Sequence, residues 1–173
     1  MIGYASQTGN KRTTAALRSA GWGILISPLY PSRLEPGIRY ALDNGAWSAY
    51  QKGTDWDAQA FERALAAFGC GADFIVLPDI VGGAQASLRR SRDWIPILRG
   101  VCRRLLLPVQ DGMLPQDVLP YLAPDIGLFV GGTTAWKLAT LMVWGGLANS
   151  AGAYLHVGRV NTARRLSACA AAG

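Results

Sequence analysis

Long apolar runs, clustered cysteines and histidines are all scarce in this 173-residue chain, and glutamate is confined to Glu35 and Glu62. No run approaches the ~20 residues that span a bilayer, so a soluble globular protein is expected, with half of its residues hydrophobic. Cys70, Cys102 and Cys169 stand far apart in apolar or helical stretches, which argues against a disulfide framework and for the reducing cytoplasm. With His156 the only histidine, no Cys/His spacing supports a zinc cluster. Neither a metal nor another cofactor is expected. Met1 leads directly into the strand-like Ile2-Gly3-Tyr4, without the basic and apolar regions of a secretory leader. No low-complexity linker interrupts the chain, and its length predicts a single domain over 1–173.

The charge is unbalanced, with 17 basic against 11 acidic residues, a net +6. Fourteen of the basic residues are Arg and three are Lys. Arg suits bidentate phosphate contacts, so nucleic acid is an expected partner, beside the plainer reading of a basic solvated surface.

Strand-like runs and helical periods alternate. Strands are expected at Met1–Ala5, Gly23–Ser27, Ile38–Leu42, Phe74–Leu77, Leu105–Val109, Ile126–Val130 and Ala153–Val157. A helix follows Asn10 or Thr13 as cap and ends at Gly21, and Pro28–Gly37 is a connection without helical period. An aromatic loop with Trp47 and Tyr50 precedes a helix starting at Asp55 or Asp57, whose Phe61, Leu65 and Phe68 form one face. Ala84–Arg99 is the next helix, with Arg89, Arg90, Arg92 and Arg99 placed on its solvent face. Pro115–Leu122, a helix from Thr133 or Thr134 to about Asn149, and Thr162–Ala172 complete the series.

This alternation implies a parallel sheet flanked by helices. The chemistry-bearing residues fall at the carboxyl ends of several strands, whereas a doubly wound sheet would concentrate them at one switch point. The expected fold class is therefore α/β, a (β/α)8 TIM-barrel-like fold with about seven strands present and the eighth missing. A chain truncated at its C-terminus and an oligomer formed through the open barrel edge are expectations that go with it.

Asp43, Asp79 and Asp111 form a set of strand-end carboxylates able to divide acid and base roles, although any one of them taken alone reads as a turn cap. Gln110 offers a donor and an acceptor suited to a heterocycle edge, or a satisfied polar residue at a strand end. Gly131-Gly132-Thr133-Thr134 can turn backbone N–H groups toward an anion or carbonyl oxygen. Gly158-Arg159 and the helix start after it suit phosphate, while His156 within its strand reads as a core residue rather than a base. Trp47, Tyr50 and Trp136 suit either base stacking or packing, and Lys137, Arg164 and Arg165 either phosphate or a solvated helix face.

The ordered series resembles the tRNA-guanine transglycosylase (queuine tRNA-ribosyltransferase) superfamily, especially its short phage-associated members related to deazaguanine DNA-modification enzymes. Asp43-Asn44-Gly45-Ala46-Trp47 is similar to the family's Asp-Ser/Asn-Gly-Gly/Ala-Phe segment, and Leu77-Pro78-Asp79 to its base-binding strand-end Asp. Val109-Gln110-Asp111-Gly112 resembles its Val-Gln-Gly segment, Gly127–Gly132 its Gly-Leu-x-Val-Gly-Gly segment, and Leu155–Gly158 its Tyr-Leu-x-Gly-Val-Gly strand.

The resemblance implies exchange of guanine for a 7-deazaguanine base in tRNA or DNA, as in queuosine synthesis. It gives Asp43 a catalytic part, and makes Asn44, Asp79, Gln110, Asp111, Gly131, Gly132, Gly158 and Arg159 substrate-binding. The family's zinc-binding subdomain has no counterpart here, and no residue can be assigned as its nucleophilic Asp. Two alternatives accompany this expectation. One is a catalytically inactive base- or nucleic-acid-binding module. The other is a phosphosugar hydrolase or lyase on a barrel, with Asp43 and Asp79 as its acid/base pair.

Overall fold

Each apolar run read as a strand finds a parallel partner in the computed structural model of the protein, which describes residues 1–29 and 34–173. The chain divides into two units, Met1–Ile75 with Gly100–Arg103, and Val76–Arg99 with Arg104–Gly173. Each is built separately below. Part of the Pro28–Gly37 connection lies outside the described residues.

In the first unit, β1 (Tyr4–Ser6), β2 (Gly23–Ile26) and β3 (Tyr40–Leu42) pair in parallel, and Leu42 pairs with Ile75 of β4 (Ile75–Val76). β1 is shorter than its apolar run because Met1 and Ile2 are exposed and β2 supports it on one side alone. α1 (Lys11–Ser19) starts where the Asn10 side chain accepts from the N–H groups of Arg12 and Thr13 at 2.9 and 3.2 Å. α3 (Ala58–Phe68) starts where Asp57 accepts from Ala60 N–H at 2.8 Å, and it buries Ala60, Phe61 and Ala64. Between them, Trp47 and Tyr50 lie on a helix, α2 (Ala46–Lys52), and not in the expected loop. Gly45 begins that helix at φ 79°, a left-handed value open to glycine, with no side-chain cap to announce it.

The second unit takes up β4 at Val76 and continues through α4 (Gln85–Leu98), β5 (Leu105–Val109), α5 (Pro115–Val118), β6 (Ile126–Val130), α6 (Thr134–Ser150), β7 (Leu155–Val157) and α7 (Ala163–Ala171). All five residues of β5 are buried, as a continuous apolar run predicts for a strand covered on both faces. Each fully buried Leu there contributes about 1.5–3 kcal/mol of transfer free energy. β5 pairs with β6 from Leu105↔Ile126 to Val109↔Val130, and β6 with β7 from Leu128↔Leu155 to Val130↔Val157.

Gly127 makes this register possible, since a Cβ there would lie 2.2 Å from the Tyr154 carbonyl oxygen. Pro108 sits inside β5 and has no N–H to give. Leu106, two residues earlier, accepts from Leu77 N–H at 2.9 Å, so this is the side of β5 that faces β4. α6 buries Lys137, Leu141, Trp144 and Ala148, a stripe at helical spacing.

The strand order is β1-β2-β3-β4-β5-β6-β7, and among the described residues it contains no reversal of the doubly wound kind. No helix among them is long and apolar enough to cross a membrane.

Candidate functional site

Four strand ends of the second unit carry polar residues, and their hydrogen bonds show how each is held. Asp79 follows β4 on a segment that α4 pins from one face. Ser91 donates to the Pro78 carbonyl at 2.8 Å, Ile80 N–H donates to the Ser87 hydroxyl at 3.3 Å, and Arg90 donates to the Asp79 carbonyl at 3.4 Å. Ser87 and Ser91 are fully buried one turn apart, and Arg90 is half-buried rather than on the expected solvent face. The residue type does not mark them as buried; the run Ser87, Ser91 and Ile95 at i, i+4 and i+8, beside Leu88, is the signal that finds them.

Gln110, at the end of β5, is buried and uses both ends of its amide on the same segment. Nε2 donates to the Ile80 carbonyl at 2.8 Å, and Oε1 accepts from Gly82 N–H at 2.6 Å. Its neighbour Asp111 accepts twice from Thr133, from the backbone N–H and from the hydroxyl, each at 2.7 Å. Burial raises the Asp111 pKa, but the Thr133 donors, its own backbone N–H and the charge of Arg159 outweigh it, and the net shift is downward.

Gly132 makes that contact possible. It adopts φ 69°, and a Cβ there would fall 2.5 Å from the Asp111 carboxylate. Gly131 N–H donates to the Val109 carbonyl at 2.8 Å, so this N–H and that of Thr133 serve protein acceptors.

After β7, Gly158 is buried against the Phe129 ring, where a Cβ would lie at 2.8 Å. Arg159, at a left-handed φ of 56°, donates to the Gly132 carbonyl. The loops after β5, β6 and β7 are therefore tied in succession, by Asp111 to Thr133 and by Arg159 to Gly132. His156 stacks on Phe129 at 5.2 Å between centroids, and burial, then the charge of Lys137, lowers its pKa to about 4. It is half-buried on β7, and the lowered pKa favours the neutral ring. Lys137 is buried rather than on a solvated helix face, and its ammonium donates to the Gly158 carbonyl.

The first unit holds Asp43 and Asn44. Asp43 follows β3, its N–H donating to the Ile26 carbonyl at 2.8 Å. Burial raises its carboxyl from 3.8 to about 6, against the lowering effect of the Gly45 and Asn44 N–H groups. Asn44 is a buried turn residue. Its side chain accepts from Ala46 N–H at 2.8 Å, and its carbonyl accepts from the Trp56 indole at 2.7 Å. Trp47 and Tyr50 stack on α2 with centroids 5.6 Å apart. Among the described residues no group of three or more His, Cys, Asp or Glu is placed to hold a metal ion.

These features define a parallel α/β protein whose polar residues gather at strand carboxyl ends. Comparison with protein-family models, curated proteins and solved structures finds no match.

Proposed function

We propose that this chain is a TIM-barrel-like, base-recognising protein of the transglycosylase kind, acting on a guanine or 7-deazaguanine base in tRNA or DNA. The observation that carries the reading is the tied strand-end layer of the second unit, where successive loops are fixed to one another by Asp111–Thr133 and Arg159–Gly132. Rigid strand ends are where parallel α/β proteins hold ligands.

In this reading the Asp79 carboxylate meets the N–H edge of the base, on a segment that Gln110, Ser87 and Ser91 hold in place. Gln110 acts first as a positioning residue, and it reads the base only on releasing Ile80 and Gly82. Asp43 is the carboxyl of the first unit best suited to proton transfer, because a pKa of about 6 lies near the operating range of an acid/base group. The Arg-rich surface, net charge +6, attracts the nucleic acid phosphates.

The test incubates the protein with tRNA or DNA carrying labelled guanine, together with a deazaguanine base. Release of label that depends on the added base is the expected result. Failure of calorimetry to detect any purine-like base would end the proposal.

One observation favours the second reading, a binding module that does not turn over: the Gln110 amide and the Asp111 carboxylate are both engaged by protein partners. Binding of a deazaguanine base without exchange selects this reading.

A further inference from the structure

Cys70, Cys102 and Cys169 carry no disulfide, and the first two belong to the first unit. α3 ends at Phe68, and the chain turns tightly toward β4, with Ala72 N–H donating to the Gly69 carbonyl at 3.3 Å. Cys70 stands exposed within that turn.

Both ends of the turn touch the segment that carries Cys102. At Gly69 a Cβ would lie 2.8 Å from Val101 Cγ1, so the glycine admits the valine against the backbone. At Ala72 the carbonyl accepts from the Cys102 thiol at 3.2 Å. Cys70 is therefore bracketed by one contact to Val101 and one to Cys102 itself. Tyr40 fixes the turn from a third side. Its hydroxyl donates to the Phe68 carbonyl at 3.1 Å and fills the space that a Cβ at Gly71 would need. Burial raises the Tyr40 pKa first, and the Cys70 and Cys102 thiols raise it next, followed by Asp73. One phenol thus feels both thiols.

Neither cysteine is spent on the core. Cys70 is exposed and Cys102 half-buried, whereas a cysteine kept for packing is among the most buried of residues. A disulfide requires Cα atoms within about 7 Å, and a closed four-residue turn laid along residues 101 and 102 brings the two backbones to that range. In a reducing compartment such a bond is transient and follows the redox state, so it differs from the permanent framework that the cysteine spacing argues against.

We propose that Cys70 and Cys102 are a redox-active pair, a modification site at which a low-molecular-weight disulfide oxidises the chain to an internal Cys70–Cys102 bond. The exposed Cys70 thiolate attacks one sulfur of the small disulfide, forming a mixed disulfide and releasing one thiolate. Cys102, on losing its proton to solvent, attacks the Cys70 sulfur and expels the second thiolate. Two protein thiols are oxidised, and one small disulfide is reduced to two thiols. The Ala72 carbonyl loses its thiol donor in the process, so the turn before β4 registers the change. The pair does not rest on base recognition.

Incubation of the full chain with glutathione disulfide at about pH 8, where thiols are partly ionised, tests the pair by mass spectrometry. The expected product is lighter by two hydrogens, keeps no glutathione, and has one free thiol in place of three. Proteolysis without reductant should give one peptide pair joined through Cys70 and Cys102, and dithiothreitol should restore all the thiols. In Cys102→Ser, whose hydroxyl still donates to Ala72, Cys70 should instead retain a stable glutathione adduct. The unmodified chain decides the matter alone if that variant does not fold. No oxidation, a lasting glutathione adduct on the unmodified chain, a bond through Cys169 or between two chains, or loss of glutathione from Cys70 in Cys102→Ser overturns the proposal.

Discussion

Thr133 donates to both carboxylate oxygens of Asp111, through its backbone N–H and its hydroxyl, each at 2.7 Å. The same hydroxyl accepts from Trp136 N–H at 3.3 Å and caps α6. One side chain thus starts a helix and fixes the end of β5, and removing it should be felt in both places.

Thr133→Val should cost about 1–2 kcal/mol in urea unfolding, the usual range for a lost cap and hydrogen bond. It should also raise the Asp111 pKa measured by NMR. The sign follows from the lowered carboxyl of the native chain: its contribution is present at neutral pH and lost as pH falls through its folded pKa. The variant should lose less stability than the native chain on acidification. Equal acid sensitivity of the two would contradict the assignment.

Gln110→Leu should leave Ile80 C=O and Gly82 N–H without the amide that now serves both. A cost of about 1–3 kcal/mol is expected, with amide exchange at Gly82 faster by roughly tenfold or more as the segment opens locally. Unchanged exchange at Gly82 would show that other contacts hold it.

Asp43 is shifted in the opposite sense to Asp111, from 3.8 to about 6 by burial. A carboxyl that binds its proton more tightly when folded stabilises the fold at low pH, and that stability is lost as pH rises from about 4 to about 6. Asp43→Asn should flatten this slope and gain on the order of 2 kcal/mol at pH 7, read by denaturant unfolding at a series of pH values. It should abolish any base exchange. A variant with the native pH slope would place the titration elsewhere.

Two glycines of the second unit should respond with opposite signs. Gly127→Ala places a Cβ 2.2 Å from the Tyr154 carbonyl just before β7 and 2.9 Å from Leu106 within β5, and should cost about 3 kcal/mol or more. At Gly146, exposed on α6, a Cβ meets nothing within 4 Å, and Gly146→Ala should gain about 0.5–1 kcal/mol. Thermal unfolding of the pair checks both.

β5 and β6 were legible to the residue, because Leu105–Val109 and Ile126–Val130 are apolar runs bounded by charge, turn residues and glycine. Asn10, Asp57 and Thr133 were each legible as one of two candidate helix starts, and Thr162 as the beginning of the last helix, for the local reason that a short oxygen-bearing side chain reaches the first turn. α2 was not, since its start depends on the backbone of Gly45. The site was legible as positions and not as contacts. Asp111 and Gln110 stand where they were expected, but their acceptors and donors come from residues 22, 28 and 30 positions distant and carry no local signature. Lys137 was misplaced because charge outranked period, although it stands four residues before Leu141 on the buried stripe.

Pro108 turns a missing donor into a choice of fastener. Facing β4 without an N–H, it removes one backbone donor from that edge of β5, and the segment beyond Leu77 is held also by side chains, the Gln110 amide among them. A ladder releases only by unzipping, whereas an amide on rotatable bonds lets go by one side-chain turn. The segment that bears Asp79 is thus joined by backbone up to Leu77 and by side chains of Gln110, Ser87, Ser91 and Arg90 after it, and a molecule able to satisfy the amide of Gln110 competes for one of those ties.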